Sequence, residues 1–324
     1  MKAILCHKYS SSISLKYEKI KSPIPQKDEV LISVKVAGVN FPDVLIVQGK
    51  YQFKPELPFS PGGEVSGIVK KVGKNVKNLK IGDKVFAGST WGGFSEEAIV
   101  MSSNTFKIPK GISYKDAAGS MVNYGTSYHA LVDRAKIKKN EVILILGASG
   151  GVGTAAIQIA KEIGAIVIAA ASSNDKLDYC KKMGADYCIN YTKENIKEKV
   201  KNYTKGMGAN VIFDAVGDKF SEPALRSIAW EGRYLVVGFA AGEIPKIPLN
   251  LALLKGCQII GVFWGLFFRK NPKANAKNFK TILSWIKNKK INVHIDKKFS
   301  LKDANKALKY IINRKVKGKI LLIP

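Results

Sequence analysis

Cysteine, histidine, arginine and acidic side chains are all scarce in this chain, and each shortage narrows what it can be. The four cysteines, Cys6, Cys180, Cys188 and Cys257, form no CxxC pair, and none clusters with His7, His129 or His294 at ligand spacing. A structural zinc module or a disulfide-stapled secreted scaffold is therefore not indicated, and reduced thiols in the cytoplasm are the expectation. Long apolar runs are missing too. Val142–Leu146 and Ile166–Ala171 fall far short of the ~20 residues that cross a bilayer. The apolar segment after Met1-Lys2 is too short to read as a secretory signal.

Acidic residues number 25 against 53 Lys and Arg, a net charge of +28, yet arginine occurs only at Arg134, Arg226, Arg233, Arg269 and Arg314. Nucleic-acid readers favour the planar guanidinium, which grips phosphates and guanine edges bidentately. The lysines are spread along the whole chain and no recognition motif accompanies them. The expectation is a lysine-coated surface and no specific nucleic acid, with RNA binding left as the non-enzymatic alternative. The segment Arg269 to Lys290 contains no acidic residue at all. It reads either as a solvated helix face or as a place that draws in anions.

With 324 residues, 46% of them hydrophobic, the chain has room for two packed domains. The first third is strand-like and punctuated by glycine: Val30–Val36, Gly62–Val69 and Lys80–Phe86, the last turning at Gly82-Asp83. From Glu141 the pattern changes to short apolar strands alternating with helices. The strands are Val142–Leu146, Ile166–Ala171, Tyr187–Asn190, Val211–Ala215, Tyr234–Phe239 and Ile259–Phe263; helices begin near Gly151, Asp175, Glu194, Phe220 and Pro248. Such alternation predicts βαβ units and a parallel sheet covered on both faces, and six strands complete a doubly wound Rossmann sheet. Two further helices, Lys273 to Lys289 and one starting near Leu301, and a last strand at Lys319–Ile323 remain. A full sheet has no place for them. They are expected to return to the first domain, so that residues 123–264 are inserted between 1–122 and 265–324 of a β-rich substrate domain.

The strongest local signal is Leu146-Gly147-Ala148-Ser149-Gly150-Gly151-Val152-Gly153. It follows a strand and opens a helix, where small residues allow a tight turn and bare amides meet a pyrophosphate at a positive helix end. The second strand of a dinucleotide fold usually ends in a carboxylate that grips the ribose hydroxyls. Here it ends Ala171-Ser172-Ser173-Asn174-Asp175-Lys176. Two hydroxyls and a lysine suit a 2′-phosphate, which predicts NADPH, although Asp175 stands close by.

The stretches Ala37–Asp43, Pro61–Glu64, Gly82–Val85, Gly92–Glu96, Tyr124–Tyr128, Gly184–Asp186, Asp214–Gly217 and Gly318-Lys319 resemble, nearly end to end, the zinc-independent quinone oxidoreductases of the medium-chain dehydrogenase/reductase superfamily. Val237–Pro245 and Gly261–Gly265 look most like its subgroup named quinone oxidoreductase-like protein 2. The resemblance implies an α/β fold in which a Rossmann domain is inserted into a GroES-like domain. Zinc-dependent members carry ligands at the positions held here by Asn40, Gly63 and Val122, none of which can build a tetrahedral zinc site.

By the same resemblance, cofactor contacts fall on Thr126, Gly150, Gly151, Val152, Ser173, Lys176, Tyr191, Phe239, Phe263, Trp264 and Lys319, and Asn40 and Tyr51 serve the reaction. Tyr51 is a candidate oxyanion donor, with loop packing against Phe53 the alternative; the alternative for Asn40 is a turn cap, and Asp43 is given no acid–base role. Trp264, Phe267 and Phe268 either wall the acceptor site or pack in a core or interface. The implied reaction is NADPH-dependent hydride transfer to a quinone, with an enone or an enoyl-CoA such as acryloyl-CoA as the alternative acceptor. The implied assembly is a homodimer through Gln258–Phe263.

Overall fold

A computed structural model describes residues 1–324, which separate into two compact units: Met1–Val122 with Phe267–Pro324, and Asn123–Leu266.

The second unit is built on a six-stranded parallel sheet in the spatial order Tyr187–Asn190, Ile166–Ala171, Val142–Leu146, Ala209–Asp214, Ile228–Val236, Gln258–Gly261. This is the doubly wound dinucleotide order, with its switch point beside the first strand. Val142–Leu146 and Ile166–Ala171 are buried almost throughout, which is why they read as continuous apolar runs rather than alternating ones. The helix Gly151–Ile163 lays Ala155, Ala156, Ile159 and Ala160 into the core and stops at Gly164, whose φ of 89° is left-handed and closes the last turn. At ~25 cal/mol per Å2 of apolar area, a buried isoleucine contributes ~2–3 kcal/mol, so Ile157 and Ile159 tie this helix down more firmly than its propensity does.

The fifth strand is Ile228–Val236, not the predicted Tyr234–Phe239. The apolar run continues past the strand into a segment without regular structure that reaches to the helix Asn250–Lys255. The outermost strand, Gln258–Gly261, has a neighbour on one side only and is largely exposed.

The first unit is dominated by antiparallel pairing around the long strand Glu29–Val39. One side of that strand pairs with Glu64–Val72; the other pairs with Glu97–Met101 over its first half and with Lys319–Ile323 over its second. Register shifts at Leu31/Ile32 and Val34/Val36 bend it so that it can serve three partners. The chain's last strand is therefore an integral part of this sheet, as the surplus of strands over the Rossmann order implies. The core gathers Val30, Ile32, Val65, Val85 and Val100 from the strands and Phe94 from the segment before Glu97–Met101, with Ala304, Ala307 and Leu308 from the helix Ala304–Ile312.

Candidate functional site

Strand pairing alone brings three distant residues of the first unit together. Ile320 opposes Val39 and Leu321 opposes Gly38, so the antiparallel register carries Lys319 to the level of Asn40. On the other side Glu64 opposes Gly38. A side chain at Gly38 would put its Cβ 2.0 Å from Glu64 Oε1, so the absence of one there is what lets the carboxylate lie inward. Glu64 is fully buried and satisfied: Oε1 accepts from Asn40 Nδ2 at 2.8 Å and from the Lys319 ammonium, and Oε2 accepts the Val122 amide at 2.7 Å. Lys319 also donates to Asn40 Oδ1 at 2.6 Å. Two charges removed from water are tolerable only when paired and hydrogen-bonded in this way.

The helix Phe41–Val47 begins at this cluster. Asn40 is its N-cap, and the Asp43 carboxylate accepts the Asn40 backbone amide at 2.7 Å. Burial pushes the Asp43 carboxyl up to about 7; the Asn40 amide and the Lys319 ammonium pull it down and Glu64 adds to the rise. Burial also pushes the Tyr51 phenol up, with the Asp43 charge adding to this and the Arg269 guanidinium opposing it. Tyr51 meets Phe53 edge-on with centroids 6.2 Å apart, and Arg269 lies 4.2 Å from the centre of the Phe53 ring. A phenol therefore stands within electrostatic reach of a buried carboxyl and a pinned cation. Neither Glu64 nor Arg269 stands out as a site residue in the sequence, because both depend on partners far away in the chain.

The second unit carries the glycine-rich loop. Its glycines have different reasons. A Cβ on Gly153 would lie 2.4 Å from the Gly147 carbonyl oxygen, and one on Gly151 would lie 2.4 Å from Asn123 Nδ2. Backbone packing thus demands Gly153, whereas at Gly151 the Asn123 side chain alone would have to shift. Gly150 is different, because a Cβ there meets nothing closer than the Gly147 oxygen at 3.4 Å. Gly150 is the N-cap of the helix Gly151–Ile163 and has no side chain to cap it, so the first-turn amides are left for an anion.

At the end of the second strand, Lys176 Nζ donates to Ser172 Oγ at 3.0 Å, while Ser173 Oγ caps the helix Asn174–Lys182. Thr192 Oγ1 donates to Asn190 Oδ1 at 2.7 Å and lies 3.3 Å from the Ser172 carbonyl oxygen. This group of hydroxyls and one ammonium has the chemistry to hold a phosphate monoester. Asp175 sits in the first helical turn rather than at the strand end. Tyr191 packs on Phe220 with centroids 4.5 Å apart. The turn after Ala209–Asp214 is held by Asp214, whose carboxylate accepts the Val216 and Gly217 amides at 2.8 and 2.9 Å and the Ser221 and Tyr234 hydroxyls.

The remaining expected contacts are dispersed. Thr126, Val152 and Phe239 are partly exposed, Phe263 is 39% exposed, and Trp264 and Phe268 are buried. Lys319 belongs to the first unit and is engaged by Glu64 and Asn40, as described above. No group of three or more His, Cys, Asp or Glu is placed to hold a metal ion, and no helix is long and apolar enough to cross a membrane.

A doubly wound sheet with an open phosphate loop, joined to an antiparallel unit with its own buried polar cluster, defines a dinucleotide-dependent oxidoreductase architecture. Comparison with known proteins agrees. Residues 26–110 match the alcohol dehydrogenase GroES-like domain family, and residues 151–288 match the zinc-binding dehydrogenase family. The chain is 36% identical to the quinone oxidoreductase-like protein 2 homolog of Nematostella vectensis over 99% of its own length and 88% of that protein. It is 32% identical to quinone oxidoreductase 1 of Escherichia coli over 98% of both chains. It superposes on the crystal structure of E. coli quinone oxidoreductase complexed with NADPH with a TM-score of 0.94, at 30% identity and over 100% of both chains. The chain belongs to the quinone oxidoreductase family of the medium-chain dehydrogenase/reductase superfamily.

Proposed function

We propose that this protein is an NADPH-dependent, zinc-independent oxidoreductase that delivers hydride to a quinone. The observation that carries the reading is the pairing of Lys176 Nζ with Ser172 Oγ at the end of Ile166–Ala171, where an NAD-specific site would hold a carboxylate. The open amides that follow Gly150 supply the diphosphate cradle. Bound there, NADPH would supply the hydride; everything else falls to side chains of this protein.

A quinone is already electrophilic and needs no metal to polarise it. The residue types agree: Asn40, Gly63 and Val122 stand where zinc-dependent relatives carry ligands, and Asn40 and Glu64 are already committed to Lys319. Tyr51 is the proposed hydrogen-bond donor to the oxygen that gains charge, a phenol protonated at neutral pH whose ionisation burial makes harder still. We further propose a homodimer formed through Gln258–Gly261. This strand has an unpaired edge, and Ile259, Phe263, Leu253 and Trp230 are exposed, 39–79% each, which is the profile of a surface that another strand covers.

The test is NADPH consumption measured with quinones, enones and enoyl-CoA thioesters side by side. Turnover of quinones above the other two classes supports the reading. Preferred turnover of an enoyl-CoA or an enone replaces the quinone, and turnover of nothing rejects the enzymatic account.

A further inference from the structure

The acid-free segment Arg269 to Lys290 finds a structural context in the helix Pro272–Lys287 of the first unit. One face of that helix borders a groove of about 600 Å3, closed on the opposite side by residues around Leu79 and by the strand Thr105–Lys107. The volume falls within the roughly 300–1,000 Å3 of small-molecule sites. Its floor is apolar: Phe279 and Leu283 are buried, Phe106 is half-buried, and the Phe106 and Phe279 rings lie 5.5 Å apart on Phe86. Its rim is cationic. Lys107, Lys280 and Lys287 all line it, and no acidic residue does.

Lys107 is already neutralised by Asp83 at 2.9 Å. Lys280 and Lys287, two turns apart and so on one face, enter no ion pair. We propose that this groove binds a small amphipathic anion, an apolar body bearing a single carboxylate or sulfonate, independently of the dinucleotide. The two halves of the site select against other classes. A neutral apolar ligand leaves two ammoniums without a counter-charge. A small polyanion such as a free phosphate gains the lysines but leaves the half-buried Phe106 ring uncovered. Only a ligand carrying both features uses the floor and the rim together.

Titration calorimetry of the full chain with dodecanoate below its micelle concentration tests this, with dodecyltrimethylammonium, the same tail under the opposite charge, as the counterpart. Saturable binding of dodecanoate, one per chain, and none of the cation is expected. Changing Lys280→Glu together with Lys287→Glu should weaken dodecanoate at least tenfold, ~1.4 kcal/mol. Ser284→Trp, which fills the groove from an exposed position, should block it. In each case NADPH uptake should be unchanged. Absence of saturable binding, equal binding of the cation, or undiminished binding by the double variant overturns the proposal, and none of these results bears on the dinucleotide site.

Discussion

The Lys319 ammonium reaches the Asn40 side-chain oxygen at 2.6 Å, joining residues 279 apart in sequence. It does so while paired to the fully buried Glu64, so one lysine neutralises the carboxylate and orders the residue that starts the helix Phe41–Val47. Lysine and glutamate are almost never fully buried unless paired, and here each is the condition for the other.

Replacing Lys319 with Met should therefore cost about 3–5 kcal/mol of folding stability, because the apolar stem is kept while Glu64 is left as an uncompensated buried charge. Urea unfolding measures this directly. Adding Glu64→Gln to the Lys319→Met chain should restore part of the loss, since the remaining buried charge is then removed. A Lys319→Met protein as stable as its parent would show that Glu64 does not need the lysine.

Asp43 makes folding pH-dependent in a defined direction. In the unfolded chain its carboxyl ionises near ~3.9. In the folded chain, burial holds the proton up to about 7. Between these values the folded state binds more protons, so this group's contribution is fully present below the lower value and is lost as pH rises through the upper one. Asp43→Asn keeps an oxygen for the Asn40 amide and removes the titration. Comparing stability at pH 5 and pH 8, the parent should lose more on going to pH 8 than Asp43→Asn does. Equal losses would contradict the assignment.

Much of this fold can be read from the sequence, and the exceptions have physical causes. Val142–Leu146 and Ile166–Ala171 are legible to the residue because buried parallel strands are short apolar runs bounded by turn residues, while the edge strand Tyr187–Asn190 is read from its place in the strand–helix alternation. The fifth strand is misplaced because Val236–Ala241 is as apolar as the strand itself while lying mostly beyond its end. The helix Phe41–Val47 is only seven residues long and carries Pro42 in its first turn, too little for a helical period to register. The glycine loop and the Ser172–Lys176 pair are local and so legible. The Glu64–Lys319 pair arises from sheet register across 255 residues, and nothing in the composition near either residue announces it.

If Tyr51 donates to the developing oxyanion, Tyr51→Phe should lower kcat by roughly 10²-fold with a quinone while leaving NADPH affinity unchanged. The ring and its edge contact with Phe53 survive that substitution, so folding is not at issue. Steady-state kinetics with the parent alongside gives the answer; an unchanged kcat assigns Tyr51 to packing alone.

The exposed edge predicts assembly. Ile259→Lys combined with Phe263→Glu places charge at positions 42% and 39% exposed, where the isolated chain tolerates it. Light scattering should give twice the chain mass for the parent and the chain mass for the variant. A parent that is monomeric at micromolar concentration would remove Gln258–Gly261 as an interface.

The account turns most on whether the loop at Gly150 and the Ser172–Lys176 group bind a 2′-phosphorylated dinucleotide. Titration of the parent and of Lys176→Ala with NADPH and NADH measures it. The parent should favour NADPH by tenfold or more, and Lys176→Ala should lose most of that preference, since a charge-assisted bond to phosphate is worth about 1.5–3 kcal/mol. Equal or tighter binding of NADH by the parent, or no uptake of either, would contradict it.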